Sequence, residues 1–301
     1  MMIKRSPLVQ AGVLLAMMFV GLFISQIIAA FIFIATSANP FGNMVVDPLN
    51  QPVWALQAAQ FLSSVCTFLL PAFITSWICS NQPKDYLYIQ GFPNIRILAV
   101  VCLTTFLLSP VVSLTGYFNA QMHLPQSLAA IEEWIKSTEE LADALVQKMM
   151  AGKGIITFVI NLFVIAFVAG VTEEFLFRGA LLNIIRQKIK NPHVAIWIVA
   201  IVFSAIHLQF YGFVPRMILG AFLGYLVYWT HNIWVPVFAH FIYNAFAFIG
   251  MTNNSLKDNA LFTDEIAPED IRWLSITAGL CLIAFFYCIR FVRRISSEPG
   301  V

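Results

Sequence analysis

The sequence predicts an all-α membrane protein, a polytopic helix bundle with about eight transmembrane helices. Of its 301 residues, 60% are hydrophobic and 11% are charged. A soluble domain of this composition would lack the polar surface needed to cover its apolar side chains. The hydrophobic residues fall in runs close to the ~20 residues that a helix needs to cross the hydrocarbon core. Helices are expected because a span must satisfy its backbone hydrogen bonds internally.

Eight apolar runs are the candidate spans: Val9–Ile34, Val53–Ile78, Ile97–Phe118, Ile155–Val171, Val194–Phe210, Val214–Trp229, Ile233–Ile249 and Leu274–Phe291. The first run is longer than a signal-peptide core and has no clear cleavage site, so we predict a retained span. We find no internal repeat and treat residues 1–301 as a single membrane domain.

The distribution of charge predicts that both termini lie in the cytoplasm, because Lys and Arg accumulate in cytoplasmic loops. With the N-terminus inside, the inner segments hold most of the basic residues: Lys4, Arg5, Lys84, Arg96, Arg186, Lys188, Lys190, Arg290, Arg293 and Arg294. The outer segments hold most of the acids: Asp47, Glu132, Glu133, Glu139, Glu140, Asp143, Asp258, Asp264, Glu265, Glu269 and Asp270. We expect a multi-pass integral protein of the bacterial cytoplasmic membrane.

One long segment between spans, residues 125–150, has the pattern of an amphipathic helix on the extracytoplasmic side. Its apolar residues fall mostly on one helical face: Leu128, Ile131, Trp134, Ile135, Leu145 and Met149. The segment either lies on the outer membrane interface or packs over the mouth of the bundle. In both cases it acts as a lid or a support and not as a second domain.

Adjacent carboxylates follow the fourth apolar run, where ionisable residues are costly and functional by default. Glu174 and Arg178 are four residues apart, so they share a helical face and are expected to form an ion pair. Glu173 is rotated by about 100° around the helix and is free to face a cavity. The bland interpretation is a solvated cytoplasmic helix end, but the neighbouring apolar run favours a functional pair.

Two further spans carry polar residues that suit proton transfer. His207 ends the fifth span, and His240 lies one turn before Asn244 in the seventh, after Pro236, which we expect to kink that helix. Each alone is explained by structural roles, such as hydrogen bonding between helices. Together with Glu173 they suggest a site in which a carboxylate and a histidine activate water, while a second histidine and an amide stabilise an oxyanion.

The same side chains suggest a second chemistry, since two histidines and one glutamate can ligate a divalent metal such as zinc. Their spacing differs from the His-Glu-x-x-His pattern, so the sequence leaves the metal open. Gly-x-Ser-x-Gly, Walker and Rossmann patterns are absent from the sequence, and nothing indicates a nucleic-acid partner. A proton-coupled transporter is a further alternative, although the paired broken-helix repeats of many transporters are not evident.

The polar motifs stand on consecutive hydrophobic helices in this order: Glu173-Glu174-x-x-x-Arg178, Phe203-x-x-x-His207 and His240-x-x-x-Asn244. In this combination they resemble the CPBP intramembrane protease family, which includes the type II CAAX prenyl endopeptidases and the bacteriocin-immunity (Abi) proteins. The resemblance covers about residues 155–250. It implies an eight-helix membrane bundle that hydrolyses peptide bonds of membrane-associated proteins or peptides within the bilayer.

The resemblance also implies a role for each motif residue. Glu173 would activate water with His207, and His240 and Asn244 would stabilise the oxyanion. The remaining motif residues would support the site: Glu174, Arg178 and Phe203. Because the family has been described both as metalloproteases and as glutamate proteases, metal dependence stays open. The alternative function is a non-catalytic membrane scaffold or bacteriocin-immunity protein of the same family.

Overall fold

The computed structural model describes residues 5–37, 47–152, 154–253, 255–256, 259–262 and 266–296. Four residues that enter the orientation prediction lie outside this part of the chain: Lys4, Asp258, Asp264 and Glu265. The described residues form nine main helices and no strand: α1 Pro7–Thr36, α2 Val53–Cys79, α3 Ile95–Ala120, α4 Ala129–Met150, α5 Ile155–Lys188, α6 Pro192–Ala205, α7 Phe213–Thr230, α8 Trp234–Thr252 and α9 Pro268–Ser296.

The predicted polytopic all-α bundle is confirmed. Within the described ranges, seven helices are long and apolar enough to cross a membrane, all of the nine except α4 and α6. The predicted fifth span corresponds to α6, an apolar helix of 14 residues. The predicted amphipathic segment corresponds to α4, which follows a single turn at Gln126–Leu128.

Two predicted span ends are wrong around the polar motifs. The fourth span was expected to end at Val171, whereas α5 is 34 residues long and continues to Lys188. The carboxylates therefore lie inside the helix and not at its edge. The fall in hydropathy does not end α5, because Glu174 and Arg178 are fully buried and paired. The fifth span was predicted too long, because α6 ends at Ala205, five residues before the predicted end at Phe210.

Small residues bring the motif-bearing helices close together, as is common between membrane helices. A Cβ atom at Gly170 of α5 would lie 3.2 Å from the backbone nitrogen of Phe241 in α8. A Cβ atom at Gly220 of α7 would lie 3.0 Å from the ring of Phe203 in α6. These close approaches let four helices, α5 to α8, share one interior.

The bundle has an end at which basic residues gather, and we call it the basic end. It comprises the N-terminus of α1 and the C-termini of α5, α7 and α9. Gln10 donates from Nε2 to Gln187 Oε1 over 2.9 Å, which ties α1 to α5. The guanidinium of Arg293 lies 5.8 Å from the ring centroid of Trp229, which ties α9 to α7. Charges predicted to lie in the cytoplasm are thus brought to the same end.

Helix α4 lies at the opposite end, against the loop that joins α6 to α7. Tyr211 of that loop donates from its hydroxyl to Glu132 over 2.8 Å and from its backbone nitrogen to Glu139 over 3.0 Å. Ile131 and Trp134, which belong to the predicted apolar face of α4, are exposed. Helix α4 is therefore held at the bundle mouth by its acids, while part of its apolar surface points outward.

Candidate functional site

Unusual winding of α5 brackets the adjacent glutamates. The segments Leu162–Val168 and Phe175–Leu181 are wound more widely than an α-helix, with i→i+5 hydrogen bonding, and Ala169–Glu174 between them is regular. Such wide turns are rare and are frequent at functional sites. The sequence gives no simple signal for them, and the prediction of a plain helix missed them.

Glu174 lies at the centre of a buried polar cluster that joins three helices. Arg178 donates from Nη1 to Glu174 Oε1 over 2.7 Å and from Nη2 to the Gly220 carbonyl over 2.9 Å. His240 approaches the same Glu174 oxygen with Nδ1, over 2.8 Å. The expected ion pair is thus present, and His240 is a third member that the spacing did not indicate. Since both charges are fully buried, each compensates the other.

The contact with Glu174 sets which nitrogen of His240 is available for chemistry. A carboxylate accepts hydrogen bonds, so Nδ1 of His240 is the donor and carries a proton. Nε2 is left for other partners, and it lies 3.9 Å from Oε2 of Glu173. That distance is too long for a direct hydrogen bond. Glu174 therefore bonds to one nitrogen of the imidazole, and Glu173 lies near the other.

Glu173 differs from its neighbour because its side chain is partly exposed to a cavity of about 380 Å³. The cavity is lined by residues of α3, α4, α5, α6, α7 and α8 and by the loop after α6. Four candidate catalytic residues line it together: Glu173, His207, His240 and Asn244. Within the described residues, no hydrogen bond links Glu173 directly to His207. The volume is near the lower end of the ~300–1,000 Å³ typical of ligand pockets.

His207 lies just beyond the end of α6, in a turn where Leu208 adopts a left-handed conformation with φ of 54°. Its Nδ1 lies 2.7 Å from the carbonyl oxygen of Phe203. A carbonyl only accepts, so Nδ1 donates and Nε2 remains as the acceptor. The residue was predicted at the end of the fifth span, and it lies instead in the turn after α6, at the cavity wall.

Phe203 supports the site from behind, and it is almost fully buried. Its ring centroid lies 4.5 Å from the guanidinium carbon of Arg178, a distance typical of a cation–π contact. The same ring meets the His207 imidazole at 5.1 Å and the His240 imidazole at 6.1 Å, edge to face in both cases. Phe203 therefore links the buried ion pair to both histidines.

Asn244 lies one turn after His240 on α8 and lines the same cavity. Its Nδ2 donates to the carbonyl of Ile165, within the first wide turn of α5, over a long 3.4 Å. Pro236 was expected to kink this helix. However, α8 begins at Trp234, so Pro236 lies in its first turn. Proline is tolerated there without breaking a helix.

Arg216 was missed by the sequence interpretation, although it lines the cavity with Glu173 and His207. A cation two residues into the predicted sixth span was a usable signal, since charges within spans are rare. The structure adds no support to the metal alternative. In the part of the chain that the structure describes, no group of three or more His, Cys, Asp or Glu side chains is arranged to hold a metal ion.

Comparison with known proteins matches residues 155–246 to the family model described as Type II CAAX prenyl endopeptidase Rce1-like. A protein of Bacillus subtilis (strain 168) described as "Uncharacterized protein YpbD" is 28% identical over 120 residues. That alignment covers 38% of this chain and 57% of the relative. The search of solved structures found no match. The family match spans α5, α6, α7 and most of α8 and includes all the motif residues, whereas α3 and α4, which also line the cavity, lie outside it. Residues 155–246 of this chain are therefore similar to the Rce1-like family.

Proposed function

We propose that this chain is an intramembrane endopeptidase in which Glu173 is the general base. One observation carries the proposal. Glu173 reaches a cavity shared with His207, His240 and Asn244, whereas Glu174 is buried against Arg178 and His240. A carboxylate that makes no direct hydrogen bond to another described residue, beside histidine nitrogens, suits removal of a proton from water. The Rce1-like match over residues 155–246 supports peptide-bond hydrolysis as the reaction class.

The proposed reaction begins with a water molecule held between Glu173 and Nε2 of His207. Glu173 takes a proton from this water while the water oxygen attacks the peptide carbonyl carbon. The carbonyl π electrons move to the oxygen, which becomes an oxyanion. When the tetrahedral intermediate collapses, the C–N bond breaks, and the proton on Glu173 passes to the leaving nitrogen.

The oxyanion requires hydrogen-bond donors aimed at it. Asn244 supplies an amide N–H, and the long contact that Nδ2 makes with Ile165 is weak enough to be exchanged for a substrate oxygen. His240 donates from Nε2 when its imidazole carries both protons, because Nδ1 is committed to Glu174. Glu174 and Arg178 act as positioning residues that fix the ring of His240.

We further propose that the chain lies in the bacterial cytoplasmic membrane with both termini inside. The positive-inside tendency then assigns the basic end to the cytoplasm. Val146 of α4 and Met251 of α8 line the cavity and are exposed, so the cavity opens at the end that carries α4. In this orientation a membrane-associated peptide would reach the site from the outer side, past α4.

A comparison of membrane peptides tests the proposed function. Cells that express wild type, Glu173→Gln or Glu133→Gln are lysed, and peptides from their membranes are identified by mass spectrometry. Glu133 is an exposed acid on α4, so its variant is a matched control. We expect cleavage products with wild type and the control and none with Glu173→Gln. Identical peptides in all three would instead favour a non-catalytic scaffold or immunity role.

A further inference from the structure

Arg216 places a permanent positive charge in the wall of the cavity. It lies at the end of the first turn of α7 and lines the cavity with Glu173, His207 and Asn244. Arginine cannot be deprotonated in proteins, so the charge persists even in apolar surroundings. An ionised side chain within a membrane bundle is costly, and its presence calls for a partner or a function.

Among the described residues, the guanidinium of Arg216 uses only part of its hydrogen-bonding capacity. Nη2 donates to Gln209 Oε1 over 2.6 Å, and Nη1 is buried without a hydrogen-bond partner. Four groups act electrostatically on its charge: Glu173, Glu139, Tyr243 and Asp143. Of these, Glu173 and Glu139 form neither an ion pair nor a hydrogen bond with it. A guanidinium has five N–H donors, so several remain for a ligand.

The surrounding backbone makes room for this side chain. A Cβ atom at Gly212 would lie 2.9 Å from Nη2 and 3.4 Å from Nη1 of Arg216. The absence of a side chain at Gly212 therefore lets the guanidinium lie along the loop beside His207. Gln209, in the same loop, accepts a hydrogen bond from Nη2 of the guanidinium. The charge is thus located beside the proposed reaction centre and not at the lipid surface.

We propose that Arg216 binds a carboxylate of the peptide substrate and so selects where cleavage occurs. The inference rests on the proposed function and deepens it. A carboxylate that leaves water needs a paired charge, and an arginine fork matches its geometry. Because Arg216 and Glu173 line one cavity of about 380 Å³, the carboxylate lies within a few residues of the scissile bond. It is either the C-terminus of the peptide or an acidic side chain.

Selective peptide binding tests this assignment. Full-length Glu173→Gln protein in lipid nanodiscs, which we expect to leave peptides intact, is mixed with three pools of apolar hexapeptides. One pool ends in a free carboxylate, one ends in an amide, and one ends in an amide but contains a single Glu. Retained peptides are quantified by mass spectrometry. We expect about tenfold enrichment of a carboxylate pool over the plain amide pool, as for one charge-assisted hydrogen-bonding site.

The enriched pool identifies the source of the carboxylate, the C-terminus or a side chain. In the Glu173→Gln protein, a second substitution Arg216→Gln should abolish the enrichment, and Arg216→Lys should retain only part of it. Gly212→Ala provides a second route, since its methyl group displaces the guanidinium without removing the charge, and it should also weaken selectivity. Equal retention of all pools, no retention of any pool, or selectivity that survives Arg216→Gln would overturn the assignment.

The outcome is separable from that of the proposed function. Carboxylate selectivity together with a wild-type protein that cleaves none of the retained peptides would support the role of Arg216 and contradict the peptidase. Cleavage by wild type of free-acid and amide peptides with equal efficiency would contradict the role of Arg216 alone.

Discussion

Nδ1 of His240 lies 2.8 Å from Oε1 of Glu174, and that same oxygen accepts a hydrogen bond from Arg178. One carboxylate oxygen thus joins α5 to α8 and fixes the orientation of an imidazole whose other nitrogen lies near Glu173. The two adjacent glutamates have different environments, one buried and paired and the other at a cavity. This difference is the basis for assigning them different roles.

The buried ion pair predicts a large effect on stability. Arg178→Ala leaves Glu174 without its cation in the interior, and breaking a buried pair in this way costs about 3–5 kcal/mol. Thermal unfolding in detergent should show a much lower Tm for Arg178→Ala than for Glu173→Gln. Arg272→Ala, which removes an exposed arginine of α9, serves as the control. Equal melting temperatures for Arg178→Ala and Glu173→Gln would contradict a structural role for the pair.

The contact between α4 and the loop carrying His207 predicts a dependence on pH. Hydrogen bonds from His123, Tyr211 and Lys136 lower the pKa of Glu132 from 4.5 to about 2. Because the folded-state pKa is depressed, the stabilisation is complete above pH 4.5 and is lost as the pH falls toward 2. Hydrogen-exchange protection of α4 should therefore decrease in that window.

Tyr211→Phe removes one of the donors to Glu132, so the loss of protection should begin at a higher pH. Burial raises the pKa of Glu139, so this carboxyl protonates at a higher pH than Glu132, and its protonation does not itself weaken the folded state. Glu133→Gln, at an exposed position, should leave the profile unchanged. Protection of α4 that is constant across the window, or a profile that Tyr211→Phe does not move, would show that Glu132 does not secure this helix.

The oxyanion role of Asn244 predicts a specific kinetic change. An oxyanion donor acts in the transition state, and losing one lowers turnover by about 10²–10³-fold. Asn244→Ala should lower kcat with little change in KM, measured on a peptide from the membrane comparison. A rise in KM alone would contradict the role.

A metal-dependent reaction makes a different forecast, in which a chelator inactivates wild type and added Zn²⁺ restores it.

The proposed orientation predicts which side each loop occupies. A reporter active only in the cytoplasm, fused after Val301, should give a signal, and so should a reporter active only outside, fused after Lys257. Both fusion points lie outside the described residues, and the prediction rests on the charge distribution alone. The exchanged reporters at the same points are the controls. A signal from either exchanged reporter would refute the topology.

The fold was predictable because long apolar runs have few alternatives in a membrane. The Glu174–Arg178 pair was predictable because it depends on local helical spacing. The contact between Glu174 and His240 was not, since it depends on how closely α5 approaches α8, which Gly170 and its neighbours determine. The prediction that the fourth span ends at Val171 was wrong, because hydropathy does not distinguish a buried ion pair from a solvated helix end.

The assignment of Glu173 as the general base is tested most directly by the cleavage rate of purified Glu173→Gln protein in liposomes. The substitution preserves size and removes basicity, so we expect a fall of about 10²–10⁴-fold, with the Tm of wild type. Glu133→Gln should retain the wild-type rate. A folded Glu173→Gln protein that cleaves at the wild-type rate would contradict the account.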